Sequence, residues 1–169
     1  AGRLAEVLPD CLLLARNWQE FADRIIQKLG IVLESDRREA LAAFLGKRPV
    51  HKLFGDAGEA TKLPQGKAIL TLSPKFAIAD IYELRHFEIF SPDVTGAAKP
   101  DPAAFLAVLE KMKADPEETA MVGDSLENDI FPAQSLGIKP ILLDRGGKIK
   151  NVAPPIVKIK SLKELKKYL

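Results

Sequence analysis

The chain has 169 residues, of which 47% are apolar and 28% charged, with 25 basic against 23 acidic side chains and a formal net charge of +2. That suffices for one domain, or one plus a small appendage, with a buried core. It excludes a membrane span, since no apolar run nears the ~18 residues required, a disulfide or thiolate-metal framework, since Cys11 is the single cysteine, and low-complexity or collagen-like chains.

From Ala1 to about Lys62 the apolar residues fall at helical spacing, as in Trp18, Phe21, Ile25, Ile26 and Leu29. Gly30 and Gly46 are placed as helix stops, and Asp36 as the cap of the run that holds Leu41 and Phe44. The stretch from Phe54 to Gly66, rich in Gly, Asp and Lys, reads as a boundary between two parts. Beyond it the rhythm changes to short apolar runs, predicted as strands at 68–72, 88–90, 119–122, 140–143 and 156–159. Between them lie segments long enough for crossover helices, at 76–84, 102–112 and 126–136. Short unalternated runs suit strands buried on both faces. The alternation predicts an α/β fold: a doubly wound, Rossmann-like parallel sheet core over residues 63–169, with a small helical cap over residues 1–62. Residues 148–169 hold seven lysines against one glutamate, Glu164. Without interleaved aromatics or arginine forks this end predicts a solvated strand and helix, not a nucleic-acid surface. With no signal-like stretch either, a soluble cytoplasmic protein is expected.

In open parallel sheets, chemistry gathers at the carboxyl ends of the strands, and three such ends carry suggestive residues. Asp124 follows the strand predicted at 119–122, and Asp129 falls in the first turns of the next helix, where side chains lean back toward the helix start. Two carboxylates facing one point suit a hard cation such as Mg²⁺, which commonly takes one or two carboxylates beside waters and a phosphate; the same residues with Ser125 equally suit helix capping. Gly123 lets the backbone come close. Lys99 stands before Pro100, with Asp101 and Pro102 as helix cap and first residue, so the lysine is aimed from a stiff loop as a point charge for a phosphate or for crowded carboxylates. Ser73-Pro74 is either another cap or, with free amides beside it, a holder of a phosphate oxygen. Trp18 and Cys11 read as core, His51 and His86 as surface or satisfied residues. Arg16, Asn17, Lys47, Arg48 and His51 are candidates to meet a substrate if the cap faces the sheet.

Taken in order, a serine at one strand end, a Lys-Pro loop, then Gly-Asp-x-x-x-x-Asp at a later strand end resembles the haloacid dehalogenase superfamily of hydrolases over about residues 68–169. Ser73 matches the family's second motif, Lys99 its third, and Asp124 with Asp129 its fourth; Val122-Gly123-Asp124-Ser125 and the later Ala133, Leu136 and Gly137 look typical. The resemblance implies a Mg²⁺-dependent phosphatase acting on a small phosphate monoester. Ser73 would hydrogen-bond the phosphoryl group, Lys99 would neutralise charge, and Asp124 with Asp129 would hold or orient Mg²⁺. The Gly-Asp of the fourth motif favours a phosphatase over the metal-free dehalogenases of the same superfamily.

The resemblance also implies a first motif, a strand ending in Asp-x-Asp that supplies the nucleophile and an acid/base, and this sequence contains none. Asp10 precedes its apolar run, and Asp144 follows the last motif and stands alone. The nucleophile strand is therefore expected upstream of Ala1, within ~15–20 residues, and the 169 residues by themselves are expected to be inactive. That strand would sit mid-sheet, leaving the strand at 68–72 and the strand at 119–122 without direct pairing. A silent relative that binds a phosphorylated ligand or partner is the competing reading.

Overall fold

A computed structural model of the chain describes residues 7, 10–12, 15–47, 53–78 and 81–169; Arg48 and His51 lie outside them. Helix α1 (Trp18–Leu29) starts where the Asn17 side chain accepts a hydrogen bond from the Glu20 amide at 2.8 Å. It ends at Gly30, whose φ of 66° is the left-handed stop that the sequence suggested. Its Phe21 and Ile25 pack with Cys11 and Ala15, and Trp18 and Leu29 border them. Burial pushes the Cys11 thiol pKa up.

Helix α2 (Ser35–Gly46) corrects two expectations. Glu34, not Asp36, occupies the cap position, and Asp36 lies in the first turn. Gly46 is the last helical residue rather than the stop, Lys47 being the cap; a Cβ at Gly46 would sit 3.2 Å from the Trp18 ring, so the glycine eases the contact between the two helices. Helix α2 buries only Ala42 and leaves Phe44 72% exposed.

Residues 53–61, with helix α3 (Ala57–Thr61), fold against the other end of the chain. Asp56 Oδ2 accepts from Arg145 Nη1 at 2.7 Å, Ser161 Oγ at 2.6 Å and the Leu162 amide at 2.9 Å. The Arg145 guanidinium and the Ser161 hydroxyl hold the Asp56 carboxyl well below the usual carboxylate range. Arg145 also lies over the Phe54 ring, 4.2 Å from its centre. This tie joins residues 89 and 105 positions apart.

Five strands follow: β1 (Ala68–Leu70), β2 (Glu88–Phe90), β3 (Ala120–Gly123), β4 (Lys139–Leu143) and β5 (Val157–Ile159). All pairings are parallel. They form two sheets, β1-β2 and β3-β4-β5, and among the described residues no ladder joins β1 to β3. One side of the larger sheet packs Ile141, Ile159 and Leu165 together. A short helix α5 (Pro92–Thr95) precedes α6 (Pro102–Met112), and the opposite side packs Phe105 and Leu109 of α6 against Ala133 and Ile138, with Leu70 and Met121 bordering.

Helix α6 (Pro102–Met112) forms as expected, with Asp101 capping the Ala103 amide at 2.9 Å and Pro102 in the first turn. The single helix predicted at 76–84 does not form. A short α4 (Lys75–Ile78) and a 3-10 turn (Tyr82–His86) replace it, because its apolar residues are drawn to different places. Phe76 packs edge-on to Trp18 at 4.9 Å, while Leu84 faces the space between the two sheets. The segment predicted at 126–136 is also divided, into a wide π turn (Leu126–Ile130) and α7 (Phe131–Ser135), and the helix expected near the end is a 3-10 segment (Leu162–Lys167).

Candidate active site

The loop after β3 is shaped by one carbonyl. Ser125 O accepts from both the Asp129 amide at 3.0 Å and the Ile130 amide at 3.2 Å, which gives the turn its extra width. Ser125 Oγ caps the Asn128 amide at 3.1 Å. The carboxylate of Asp129 thereby folds back, and its Oδ2 accepts from the Ser125 amide at 3.1 Å. Gly123 is required here for a concrete reason: a Cβ at that position would fall inside the Asp129 side chain.

Lys99 reaches the same carboxylate from the loop before α6. Its Nζ stands 2.6 Å from Asp129 Oδ1, and both side chains are nearly buried, 12% and 6% exposed. A buried pair of this kind is a weak source of net stability but costly to break on one side. Asp124 is exposed and has no hydrogen-bond or ion-pair partner among the described residues. Lys99, Asp124 and Asp129 line one end of a cavity of about 560 Å³ that runs between β1 and β3.

Of the four residues singled out in the sequence, these three are brought together. Ser73 follows the carboxyl end of β1, half-buried, its amide donating to Thr71 Oγ1 at 2.9 Å. It is not among the residues that line the cavity. It does not cap α4 either, which starts two residues later, at Lys75. Asn17 is engaged as the cap of α1. Arg16, Asn17 and Lys47 do not line the cavity, and His86 is exposed as expected.

As a donor set, the cleft offers two carboxylates past the carboxyl end of β3, Asp124 and Asp129, while the third acidic residue of its lining, Glu118, precedes that strand. Among the described residues no three His, Cys, Asp or Glu side chains gather. Mg²⁺ accepts one or two carboxylates when water and phosphate complete its shell, so the pair fits in number and in hard oxygen chemistry. Asp124 is the open ligand, since both oxygens of Asp129 already accept hydrogen bonds. Sequence reasoning did not find the reason for Gly123 or the tie at Asp56. The first depends on the wide turn and the second on residues far apart in the chain, and no local pattern encodes either.

Comparison with known proteins identifies relatives of the chain. A phosphoserine phosphatase of Thermus thermophilus is 30% identical over 139 residues, 76% of this chain and 55% of that protein. A glyceraldehyde 3-phosphate phosphatase of Pyrococcus furiosus is 39% identical over 94 residues, 56% of this chain and 36% of that protein. A phospholysine phosphohistidine inorganic pyrophosphate phosphatase of Xenopus laevis is 46% identical over 48 residues, 28% of this chain and 18% of its own length. The chain thus spans about half the length, or less, of these relatives. The structure of a HAD phosphatase from Thermococcus onnurineus superposes with a TM-score of 0.60 at 25% identity, covering 94% of this chain and 90% of that one. A 2-haloacid dehalogenase from Pseudomonas syringae shares the fold at a TM-score of 0.69 and 22% identity, over 99% of this chain and 79% of that one. The model of the haloacid dehalogenase-like hydrolase family matches residues 13–137, a span that holds Lys99, Asp124 and Asp129 together with the wide turn that joins them, and the chain belongs to that family.

Proposed function

We propose that this chain is part of a Mg²⁺-dependent phosphatase that hydrolyses small phosphate monoesters through an aspartyl-phosphate. The observation that carries the reading is the buried Lys99–Asp129 pair beside the free carboxylate of Asp124 at the carboxyl end of β3. An anion pocket needs a fixed cation, and Asp129 fixes Lys99 where a phosphate would enter. Asp124, with Asp129 orienting, would hold Mg²⁺, which supplies charge neutralisation of the phosphoryl oxygens. Ser73, which follows the carboxyl end of β1 outside the cavity lining, would offer its hydroxyl to a phosphoryl oxygen. The attacking carboxylate belongs to a segment beyond the residues of the cleft. It forms the acyl phosphate as the ester P–O bond breaks and the leaving oxygen takes a proton, and water then releases phosphate.

In this reading the α1–α2 hairpin is the cap. It is held by Trp18 on Phe76, just past the carboxyl end of β1. Exchanging it with a relative's hairpin should change substrate preference and leave the chemistry in place; an exchange without effect on preference removes the cap role. The phosphatase relatives favour phosphate esters over haloacids as substrates.

The decisive assay offers the full-length protein a panel of phosphate monoesters and 2-chloropropionate, with and without EDTA, and measures phosphate and chloride. Phosphate release that EDTA abolishes supports the reading; chloride release, or no release of either, overturns it. A silent phosphate-binding relative is favoured by one observation: of the three acidic side chains described in the cleft lining, Asp124 and Asp129 are those already placed in the metal and lysine pairing, and the third, Glu118, precedes β3 at the end away from them. It predicts saturable phosphate-ester binding without turnover in the same assay.

A further inference from the structure

We infer that the outer edge of β2 is a docking site for an extended, acidic peptide segment of a partner protein. Strand β2 lies at the rim of its sheet, paired among the described residues with β1 alone. The Glu88 amide donates to Lys67 O and Phe90 O accepts from the Thr71 amide, so Glu88 and Phe90 turn their peptide groups toward β1. Alternation then turns the amide and carbonyl of Ile89, and the carbonyl of Phe87, away from the sheet. The Phe87 amide is engaged by Leu84 O. Past Phe90 the edge is closed, because Ser91 is fully buried and its carbonyl accepts from the Val94 and Thr95 amides. What remains open is the Ile89 N–H flanked by the Phe87 and Ile89 carbonyl oxygens, the set that a short added strand pairs with.

Beside this strand runs a groove of about 350 Å³. Phe87, Ile89 and Val94 give it apolar walls, and a lysine stands toward each end. Lys75 follows the carboxyl end of β1, the parallel neighbour of β2. Lys111 is in the last turn of α6, next to Met112, whose methyl group lies against Gly66 just ahead of β1. Both lysines are exposed, and neither has an ion-pair partner among the described residues. Glu88 is the one carboxylate of the described lining, so the groove is net positive. Lysines beside an edge strand discourage pairing with a like edge: a second copy docked about a two-fold axis would set Lys111 of each chain toward Lys75 of the other. A small anion would meet the ammonium groups but leave the Ile89 peptide groups and the apolar walls unused. An extended segment with acidic side chains at its ends and apolar ones between them uses all three, and this holds whether or not the phosphatase reading does.

The test offers the full-length protein a synthetic peptide with a Val-Ile-Val core and a glutamate pair at each end. Saturable 1:1 binding by fluorescence anisotropy is expected, with hydrogen exchange slowed at the Ile89 amide and unchanged at Glu88 and Phe90, whose peptide groups already serve the ladder. A peptide with lysines in place of the glutamates should bind about tenfold more weakly or less tightly still, and a core of three prolines, which has no amide to donate, should not bind. Lys75→Ala and Lys111→Ala should each weaken binding about two- to five-fold. Absence of binding overturns the inference, as does equal binding of the lysine-ended or proline-core peptide, binding that leaves Ile89 exchange unchanged, or binding that neither lysine variant alters. Dimerisation of the protein that competes with the peptide assigns the edge to a second copy and overturns it too. Hydrolysis is not part of the readout, so failure here is distinguishable from failure of the phosphatase reading.

Discussion

Strands β3 and β4 are neighbours built from similar residues, Ala-Met-Val-Gly against Lys-Pro-Ile-Leu-Leu, yet they are buried differently. Ile141 and Leu142 of β4 are fully buried, whereas every residue of β3 is only half-buried, as is every residue of β1. Among the described residues β4 has a neighbour on both edges while β1 and β3 have one each, and the second neighbour adds to the burial that apolar composition alone leaves incomplete. The banks also differ at their carboxyl ends. The β3 bank ends in the charged cluster, and the segments that follow its partner strands β4 and β5 are tied to Asp56 through Arg145 and Ser161, while the β1 bank ends in Ser73 and the contact with the helical hairpin.

The largest effect is expected on the β3 bank. Asp129→Ala leaves the Lys99 ammonium buried without its partner and should lower stability by about 3–5 kcal/mol, read as a fall in the denaturation midpoint. The double replacement Lys99→Met with Asp129→Leu should cost less than Asp129→Ala alone; a larger loss would show that the pair itself is strongly stabilising. Next comes Asp56→Asn, at about 1.5–3 kcal/mol, from weakening hydrogen bonds to a charged group. Because the Asp56 pKa is depressed in the folded state, its contribution is complete above the unfolded value near 3.9 and is lost as pH falls through that value toward the folded one. Thermal midpoints followed from pH 6 to 2.5 should therefore fall more steeply for the wild type than for Asp56→Asn, and parallel curves would remove Asp56 as an acid-sensitive tie. Gly123→Ala should cost about 1–3 kcal/mol, since Asp129 must move to admit the methyl group. Smallest in stability is Ser73→Ala on the β1 bank, within ~0.5 kcal/mol; its effect should appear in phosphate-ester turnover instead, and unchanged turnover would take Ser73 out of the site.

Much of this division was legible in the sequence, for reasons particular residues make plain. Asp101-Pro102 places the start of α6 because cap and first-turn chemistry are local. The five strands appear within two residues of their predicted ends because short apolar runs between turn residues have few other ways to be buried. Lys99, Asp124 and Asp129 could be picked out because strand ends of parallel sheets converge. The segment 75–86 was misread as one helix because its two halves pack against different partners, Trp18 and the cleft, and only tertiary structure supplies those. Asp56 escaped notice because its partners stand 89 to 106 residues away.

The central claim is that the cluster at the end of β3 performs phosphate-ester hydrolysis with a metal held by Asp124. Phosphate release by the full-length protein, titrated with Mg²⁺, is the direct measurement, comparing wild type with Asp124→Asn. Asp124 is exposed and without a partner among the described residues, so the variant should keep the wild-type melting midpoint and lose activity by about 10²-fold or more, with any residual activity insensitive to Mg²⁺. A variant that keeps both its turnover and its Mg²⁺ dependence would contradict the claim.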